Sequence, residues 1–379
     1  MPYWRLSSFY FFYFASLGAL VPFWGLYLRD HGFSALDIGQ LMAILMATKI
    51  VAPNIWGWIA DHTGRRVRIV QLASILSVLV FLGVFYADGF WALALVMTLF
   101  SFFWNASIPQ MEAVTFNHLG AQVHRYSTIR LWGSIGFILT VAGLGQALEW
   151  TDTGLVPQVV LILYLGIWLS SLVVPESTHA HPGEHGGRIW GLLKRPEVVA
   201  FFFACFMLQA SHGAYYAFYS IYLQDHGYSK TLIGGLWALG VVIEVLVFLV
   251  MHRLLKRFGA RRVLIASLAL AVLRWLLIGA FPDQLVILLF AQVLHAATFG
   301  TFHASSIHLV HHYFTGRFQV RGQGLYSSLS YGAGGAAGAL ISGYLWDDAG
   351  ALITFSTASL MALLGTAAAW GWVDRAHRY

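Results

Sequence analysis

Two ionisable side chains, Lys49 and Glu244, lie deep inside apolar runs of this 379-residue sequence. Each stands about 13 residues into its run, which is about 20 Å along a helix. An ammonium at that depth can bind a substrate carboxylate, and a carboxylate there can load and release a proton. Lys49 is therefore a candidate substrate-binding residue and Glu244 a candidate proton carrier. The structural alternative is a static ion pair, in which Glu244 is bound to Arg130, Lys49 or Arg274.

A second group of polar residues lies on the fourth and fifth apolar runs. Arg130 follows Glu112 by 18 residues, and a guanidinium can bind a carboxylate through two parallel hydrogen bonds. Asn105 shares a helical face with Glu112. We assign these three residues to substrate binding. Glu112 and Arg130 are also candidates for the cytoplasmic ends of their helices, because the uninterrupted apolar stretch begins only at Leu131.

A polar stripe marks the seventh apolar run. The residues that recur there at intervals of three to four are Gln209, His212, Tyr215 or Tyr216, and Tyr219. This spacing places them on one helical face, and so much hydrogen-bonding capacity on an apolar helix indicates a surface that meets water or substrate. The alternative is helix packing together with the aromatic belt at the membrane interface, and we expect this alternative to explain Tyr219.

The composition requires that most of the chain lie in lipid. Hydrophobic residues make up 59% of the sequence and charged residues only 10%, and the mean hydropathy is +0.70. A single cysteine, Cys205, excludes a disulfide-stapled fold. The net charge of +6 is explained by basic residues that set membrane topology, so we expect a lipid bilayer and no nucleic acid as a partner. The first apolar run is too long for a cleavable signal peptide.

Twelve apolar runs are long enough to cross a membrane. The predicted spans are 6–29, 36–60, 67–87, 90–118, 126–149, 156–174, 197–223, 231–255, 262–281, 284–312, 322–346 and 351–373. Most of the 22 lysines and arginines lie at the chain ends and in alternate loops. Because such loops face the cytoplasm, both termini are predicted to be cytoplasmic.

An internal repeat relates the two halves of the sequence. Residues 27–34 return as residues 222–229, with six of the eight identical. The same offset of 195 relates Lys49 to Glu244. A duplicated half-protein in an apolar chain is the architecture of many secondary transporters, whose binding site lies between the halves. The predicted domains are an N-terminal six-helix bundle over 1–174, a cytoplasmic linker over 175–196 and a C-terminal six-helix bundle over 197–379.

The loop between the second and third spans carries the most specific motif of the chain. Its residues are Gly57, Asp61, Gly64, Arg65 and Arg66, in the order G-x-x-x-D-x-x-G-R-R. Gly64 permits a tight turn, and Asp61 can face basic residues, so the cluster could hold one side of the protein shut in one conformer. A plain helix-connecting turn is the alternative. The motif resembles the signature of the major facilitator superfamily.

A finer resemblance comes from three segments. They are Arg130-Leu-Trp-Gly-Ser, Leu208-Gln-Ala-Ser-His212-Gly-Ala-Tyr215-Tyr216 and Leu236 to Val245 around Glu244. Together they are similar to the 3-phenylpropionate permease branch, which is related to the lactose permease group of oligosaccharide:proton symporters. Arg274 and His295 also resemble polar residues of that group, but Thr298 stands where the group has its proton-carrying glutamate. The resemblance adds His295 to Glu244 as a proton-coupling residue.

The resemblance implies an all-α integral membrane protein with the major facilitator fold: 12 transmembrane helices in two six-helix bundles related by pseudo-two-fold symmetry. It also implies a proton-coupled symporter for a small organic molecule, with an aromatic acid such as phenylpropionate favoured. A sugar or a nucleoside is the alternative substrate. We expect a monomer in the inner (plasma) membrane that is not an enzyme and that uses no cofactor and no metal.

A membrane di-iron enzyme is the alternative from another class. The histidines that suggest it are His303, His308, His311 and His312, which resemble histidine boxes. They lie together at the end of one helix, and no third box occurs on a separate cytoplasmic segment. A duplication with a gating motif would also be unexplained by such an enzyme, so we favour the transporter.

Overall fold

The protein, seen here as a computed structural model, is described over residues 1–176 and 189–374. All of its regular elements in those ranges are helical. The α-helices are α1 Tyr3–Asp30, α2 Ala35–Thr63, α3 Arg66–Phe81, α4 Gly89–Leu119, α5 Tyr126–Ala147, α6 Leu155–Leu172, α7 Trp190–Leu193, α8 Pro196–Ser211, α9 Gly213–Asp225, α10 Lys230–Phe258, α11 Ala260–Ala280, α12 Leu285–His295, α13 Phe302–Tyr313, α14 Gln319–Ser327 and α15 Gly335–Trp372.

Ten helical stretches of the described residues are long and apolar enough to cross a membrane. Two of them are unusually long, 59 residues for Gly89–Ala147 and 54 for Gln319–Trp372. The first is broken by the 3₁₀ segment Gly120–Arg125, and the second at Gly350, where φ is 82°. Both breaks fall where the sequence predicted a loop between two spans. Each predicted apolar run is therefore helical, with ends that agree to within several residues.

The repeated eight residues form the same turn twice. Gly32 and Gly227 both have positive φ, 83° and 78°, a conformation that glycine adopts without steric cost. In each copy the histidine before the glycine, His31 or His226, places its Nδ1 2.8 Å from the carbonyl oxygen of the tyrosine four residues earlier. The repeat thus encodes a helix end.

The described residues divide into two compact units. The first holds residues 1–176 together with Gly227–Ala238, and the second holds 189–226 and 239–374. The bundle boundaries that the repeat suggested, 1–174 and 197–379, remain predictions. Most of the predicted linker 175–196 lies outside the described residues, at 177–188.

In the first unit, α1 packs on α5 and α6, and α4 packs on α2 and α3. The contact of α1 with α5 is made close by Gly136, where an added Cβ would lie 2.3 Å from the Phe11 carbonyl oxygen. In the second unit α15, which is broken at Gly350, contacts α8, α9 and α11. Gly338 has the same function there, because a Cβ would lie 2.0 Å from the Ala210 carbonyl oxygen. Small residues therefore let helices of both units approach closely.

Helix α10 contributes to both units, with its first nine residues in the first unit and the rest in the second. Its beginning docks on the end of α5. A Cβ on Gly234 would lie 2.5 Å from the Val141 carbonyl oxygen, and a Cβ on Gly145 would lie 2.7 Å from the Lys230 carbonyl oxygen. The two backbones are thus in direct contact.

Reciprocal hydrogen bonds join these two helix ends. The Thr231 N–H donates to Glu149 Oε1 at 2.7 Å, and Lys230 Nζ donates to the Leu148 carbonyl oxygen at 3.2 Å. An acidic side chain thus meets the positive end of α10, and a basic one meets the negative end of α5. The Thr231 N–H lowers the pKa of the exposed Glu149 carboxyl below its ordinary value of 4.5.

Candidate functional site

The glycine–arginine turn after α2 forms a hydrogen-bonded cluster. Gly64 ends α2 with φ of 66°. Arg66 then donates to two side chains, to Asp61 Oδ1 from Nη2 and to Gln110 Oε1 from Nη1, both at 2.5 Å. Gly57 lies beneath the cluster, since a Cβ there would be 3.8 Å from Gln110 Nε2.

Two more groups complete the surroundings of this turn. Arg65 is exposed and precedes the first residue of α3. The Val67 N–H, at the start of α3, donates to the Glu176 carboxylate at 3.1 and 3.2 Å. The turn therefore ties the end of α2 to α4 and the start of α3 to Glu176. Its gating role stays a prediction.

Lys49 lies half-buried at the centre of α2. Its Nζ donates to the Met46 sulfur at 3.7 Å, which is a weak acceptor. Within the described part of the chain, no carboxylate oxygen lies within 4 Å of this ammonium. A cation at this depth is costly without an anion, so Lys49 can still accept a carboxylate partner.

Asn105 lies one helix away from Lys49 and is buried. Its Nδ2 donates to Thr48 Oγ1 at 2.9 Å, and that hydroxyl in turn donates to Ser101 Oγ at 2.9 Å. Asn105 thus fixes the neighbour of Lys49 on α2, whereas the sequence placed it only beside Glu112.

Glu112 and Arg130 contact different partners. Glu112 Oε1 accepts the hydroxyl proton of Tyr126 at 2.9 Å, and the Arg130 guanidinium carbon lies 3.5 Å from the centre of the Phe14 ring. The Arg130 charge acts electrostatically on the Glu112 carboxyl. Among the described residues, however, Arg130 makes no ion pair within 4 Å. Arg130 thus presents a guanidinium that stacks on a ring and is half-buried.

In the second unit, Glu244 faces His295. The two side chains approach to 3.6 Å between Oε2 and Nε2, with 17% and 8% of their surfaces exposed. Gly300 allows Glu244 to lie against the π-helical segment Ala296–Thr301, because a Cβ there would be 2.9 Å from Glu244 Cγ. The two residues assigned to proton coupling therefore form one partly accessible pair.

The predicted stripe on the seventh run divides between α8 and α9. His212 is buried against the rings of Trp275 and Tyr216, with centroids 4.9 and 5.7 Å away. Its Nδ1 contacts the Leu208 carbonyl oxygen at 2.8 Å, and its buried Nε2 has no hydrogen-bond partner among the described residues. The same is true of Gln209 Nε2.

Tyr215 belongs to a buried network around Arg274. Its hydroxyl donates to Gln292 Oε1 at 3.0 Å, and Gln292 Nε2 donates to the Tyr219 hydroxyl at 2.6 Å. The Arg274 guanidinium lies 4.4 Å over the Tyr215 ring and 4.5 Å over Trp275. The Tyr219 side chain is fully buried, which agrees with the helix-packing alternative.

Residues 3–357 match the MFS_1 like family. The chain belongs to this family. It is 30% identical to "Probable 3-phenylpropionic acid transporter" of Escherichia coli (strain K12), over 90% of each chain. It is 26% identical to "Maltose permease" of Geobacillus stearothermophilus, over 94% of this chain and 91% of that one.

The fold of this MFS_1-like chain resembles a solved nucleoside transporter. The crystal structure of nucleoside transporter NupG superposes with a TM-score of 0.82 over 98% of both chains, at 18% identity. The chain is accordingly a multi-pass, all-helical transporter of the major facilitator type.

Its relatives are transporters and not enzymes, which excludes the di-iron alternative. Among residues 1–176 and 189–374, no three His, Cys, Asp or Glu side chains are placed to hold a metal ion.

Three polar residues of this transporter were not predicted from the sequence. They are Gln110, which binds Arg66, Tyr126, which binds Glu112, and Gln292, which joins Tyr215 to Tyr219. Gln292 carried a usable signal, because it is an amide inside the apolar run of α12, three residues before His295. Tyr126 carried none, since a tyrosine at the start of a membrane helix is typical of the interface.

Proposed function

We propose that this transporter couples the uptake of a small aromatic acid to protons, by alternating access in the inner membrane. The observation that carries the proposal is the Lys49 ammonium. It lies at the centre of a 29-residue membrane helix, and its polar contact is a thioether sulfur.

The energetic argument rests on the cost of a membrane charge. A lysine at a helix centre costs about 2.5–3.5 kcal/mol by insertion scales, and no side-chain carboxylate within the described residues offsets this. A substrate carboxylate would supply the missing charge. Arg130, stacked on Phe14 in the same unit, is the second cation we assign to substrate binding.

Two observations support an aromatic group in the substrate: the name of a similar protein and the aromatic side chains of the second unit. The relative named for 3-phenylpropionic acid matches over nine-tenths of the chain. In the second unit the rings of Tyr216, Trp275 and Phe299 surround His212 within 6.2 Å. Such rings pack well against a phenyl group. We assign His212, Gln209, Tyr215 and Tyr216 to the substrate, together with Asn105 and Glu112.

Proton coupling is assigned to Glu244 and His295. A carboxylate and an imidazole 3.6 Å apart can share a proton, and their partial exposure leaves a route for exchange. Glu244 is the candidate carrier because Thr298 occupies the position where related symporters have a glutamate.

We extend the proposal to the membrane topology. The breaks at Gly120–Arg125 and Gly350 divide the two longest helical stretches, which supports twelve spans. The positions of lysine and arginine support cytoplasmic termini. On this topology, the cluster of Asp61, Arg66 and Gln110 lies on the cytoplasmic side and acts as the gate.

A matched pair of ligands tests the substrate class. We expect 3-phenylpropionate to raise the melting temperature of the purified protein and the neutral 3-phenylpropionamide to have little effect. Lys49→Met should weaken 3-phenylpropionate binding at least tenfold, or about 1.4 kcal/mol. Lys230→Met, at the beginning of α10, is the control and should bind normally. Equal binding of acid and amide would overturn the proposal.

A nucleoside or sugar is the second candidate substrate. It is supported by the names of relatives, "Xanthosine permease" and "Maltose permease", and by the nucleoside transporter with the similar fold. For such a ligand Glu112 and Arg130 would bind hydroxyl groups. A melting-temperature shift with nucleosides or maltose and none with 3-phenylpropionate would favour it.

A further inference from the structure

The second unit contains a hydrogen-bonded histidine–tyrosine cluster that the proposed function does not use. His303 Nδ1 lies 2.9 Å from the Tyr331 hydroxyl and 3.3 Å from the Tyr326 hydroxyl. The two hydroxyls are 3.4 Å apart. Tyr326 is 1% exposed, and His303 and Tyr331 are half-buried. Three groups that can each hold a proton therefore meet inside the unit.

Two π-helical segments build this cluster. Ala296–Thr301 directly precedes α13, whose second residue is His303, and Ser328–Gly334 contains Tyr331. A π-helical turn shifts the following side chains out of the α-helical register and is found frequently at functional sites. The first segment adjoins the coupling pair, because it begins immediately after His295.

The chemistry of the cluster suits proton transfer. A phenol hydroxyl and a neutral imidazole both donate and accept hydrogen bonds. Each can therefore receive a proton at one position while releasing another. An indole, a guanidinium or an ammonium in the same place could only donate, so the residue types present are compatible with a relay.

The cluster lies next to the Glu244–His295 pair. The Phe299 ring stacks on His295, with centroids 5.4 Å apart, and is 6.1 Å from the Tyr331 ring. The Glu244 carboxylate acts electrostatically on the Tyr331 hydroxyl. His303 is eight residues beyond His295, and α13 ends ten residues later at Tyr313, about 15 Å along a helix. The cluster is thus between the coupling pair and the end of α13.

We propose that Tyr331 and His303 relay the coupled proton from Glu244 toward the end of α13. The proposal rests on the proposed function, because it takes Glu244 as the proton carrier. In the step, the Glu244 carboxyl releases its proton, which passes through intervening water to the Tyr331 oxygen, while the Tyr331 hydroxyl gives its own proton to His303 Nδ1. Glu244 ends as a carboxylate, Tyr331 is again a phenol, and the His303 imidazolium releases one proton from Nε2. No electrons are exchanged.

Separate measurements of net 3-phenylpropionate uptake and of 3-phenylpropionate exchange distinguish a proton relay from a purely structural role of the cluster. In the experiment, purified protein in lipid vesicles transports labelled 3-phenylpropionate, either driven by a pH gradient or in exchange for unlabelled ligand at equal pH. Exchange needs no proton release. In His303→Gln and in Tyr331→Phe, we expect gradient-driven accumulation to fall at least tenfold and exchange to stay within twofold of wild type.

Two exposed residues of the same types provide matched controls. His252→Gln, near the end of α10, and Tyr344→Phe, on the exposed face of α15, should leave both activities unchanged. Accumulation within twofold of wild type in both cluster variants would overturn the relay. Loss of exchange in a variant with a normal melting temperature would overturn it too, because it would show a binding role.

Failure of the proposed proton coupling and failure of the relay alone give different results in these assays. Wild-type protein that exchanges 3-phenylpropionate but never accumulates it under a pH gradient would overturn proton coupling and the relay together. Wild-type accumulation with full activity in His303→Gln and Tyr331→Phe would overturn the relay alone.

Discussion

Lys49 and Glu244 are each the fifteenth residue of a 29-residue helix, α2 counted from Ala35 and α10 counted from Lys230. The two helices have the same length and carry the polar residue at the same position, but the charges have opposite sign. The partners changed as well, because Lys49 contacts the Met46 sulfur and Glu244 contacts His295. Two helices of equal length thus carry different chemistry at the same position.

Replacement of Glu244 by glutamine should uncouple transport. The amide keeps the size of the side chain but cannot carry the proton, so we expect exchange of 3-phenylpropionate to persist and accumulation under a pH gradient to fall to background. Flux measurements in lipid vesicles check this. Accumulation of the substrate against its gradient by Glu244→Gln would show that another residue carries the proton.

The close contact of α1 with α5 should depend on Gly136. An added Cβ would meet the Phe11 carbonyl oxygen at 2.3 Å, so we expect Gly136→Ala to cost about 1–3 kcal/mol of stability through overpacking. For Gly143, on the same helix, no atom of the described residues lies within 4 Å of an added Cβ. Gly143→Ala should be neutral or stabilise by up to about 1 kcal/mol. Thermal unfolding measures both, and equal effects would contradict the packing argument.

The Asp61–Arg66 pair should matter for turnover more than for stability. Its side chains are 44% and 28% exposed, and exposed ion pairs contribute about 0–1 kcal/mol. We expect Asp61→Asn to reduce the transport rate at least tenfold with almost the same melting temperature.

Asp37→Ala is the control for the Asp61 variant: it should lower the melting temperature and leave the transport rate almost unchanged. It removes the Asp37 half of the capping box at Ser34 and the acid in the first turn of α2, which costs about 0.3–1 kcal/mol, without touching the gate. A transport rate within twofold of wild type in Asp61→Asn would exclude a gating role for this carboxylate.

The contact between Glu149 and Thr231 should weaken in acid. Because the contact lowers the pKa of Glu149, it contributes stability that is complete above the ordinary value of 4.5 and is lost as the pH falls through the lowered value. Hydrogen exchange of the Thr231 amide should therefore be slow at pH 7 and accelerate, relative to other amides, below about pH 4.5.

Glu149→Gln should abolish this pH dependence. Asp152→Asn is the matched control, because Asp152 is in the same loop and binds the nearby Gly154 N–H, at 2.7 Å. Slow exchange of the Thr231 amide at low pH in the wild-type protein would contradict the prediction.

The helices were largely predictable from the sequence because membrane spans need about 20 apolar residues. The turns at Gly32 and Gly227 have the same conformation because the sequence around them repeats. The family followed from the motif around Asp61 and Arg66. Each of these signals is local in the sequence, so no knowledge of the tertiary structure was needed.

Side-chain partners across helices were much less predictable. Glu112 binds Tyr126 and not Arg130, because helix rotation decides which group a carboxylate faces. The π-helical segments at Ala296–Thr301 and Ser328–Gly334 have no hydrophobic period of their own. The position of His303 beside Tyr331 therefore could not be predicted from the order of the residues.

The strength of the contact between the end of α5 and the beginning of α10 depends on the salt concentration and the pH of the surrounding solution. Its hydrogen bonds through Glu149 and Lys230 lie where counterions can screen them, over about 8–10 Å at physiological salt. The glycine contact beneath, at Gly145 and Gly234, is insensitive to ions. Salt and acid on that side of the membrane thus set how firmly the two helix ends hold together, while the backbone packing fixes where they meet.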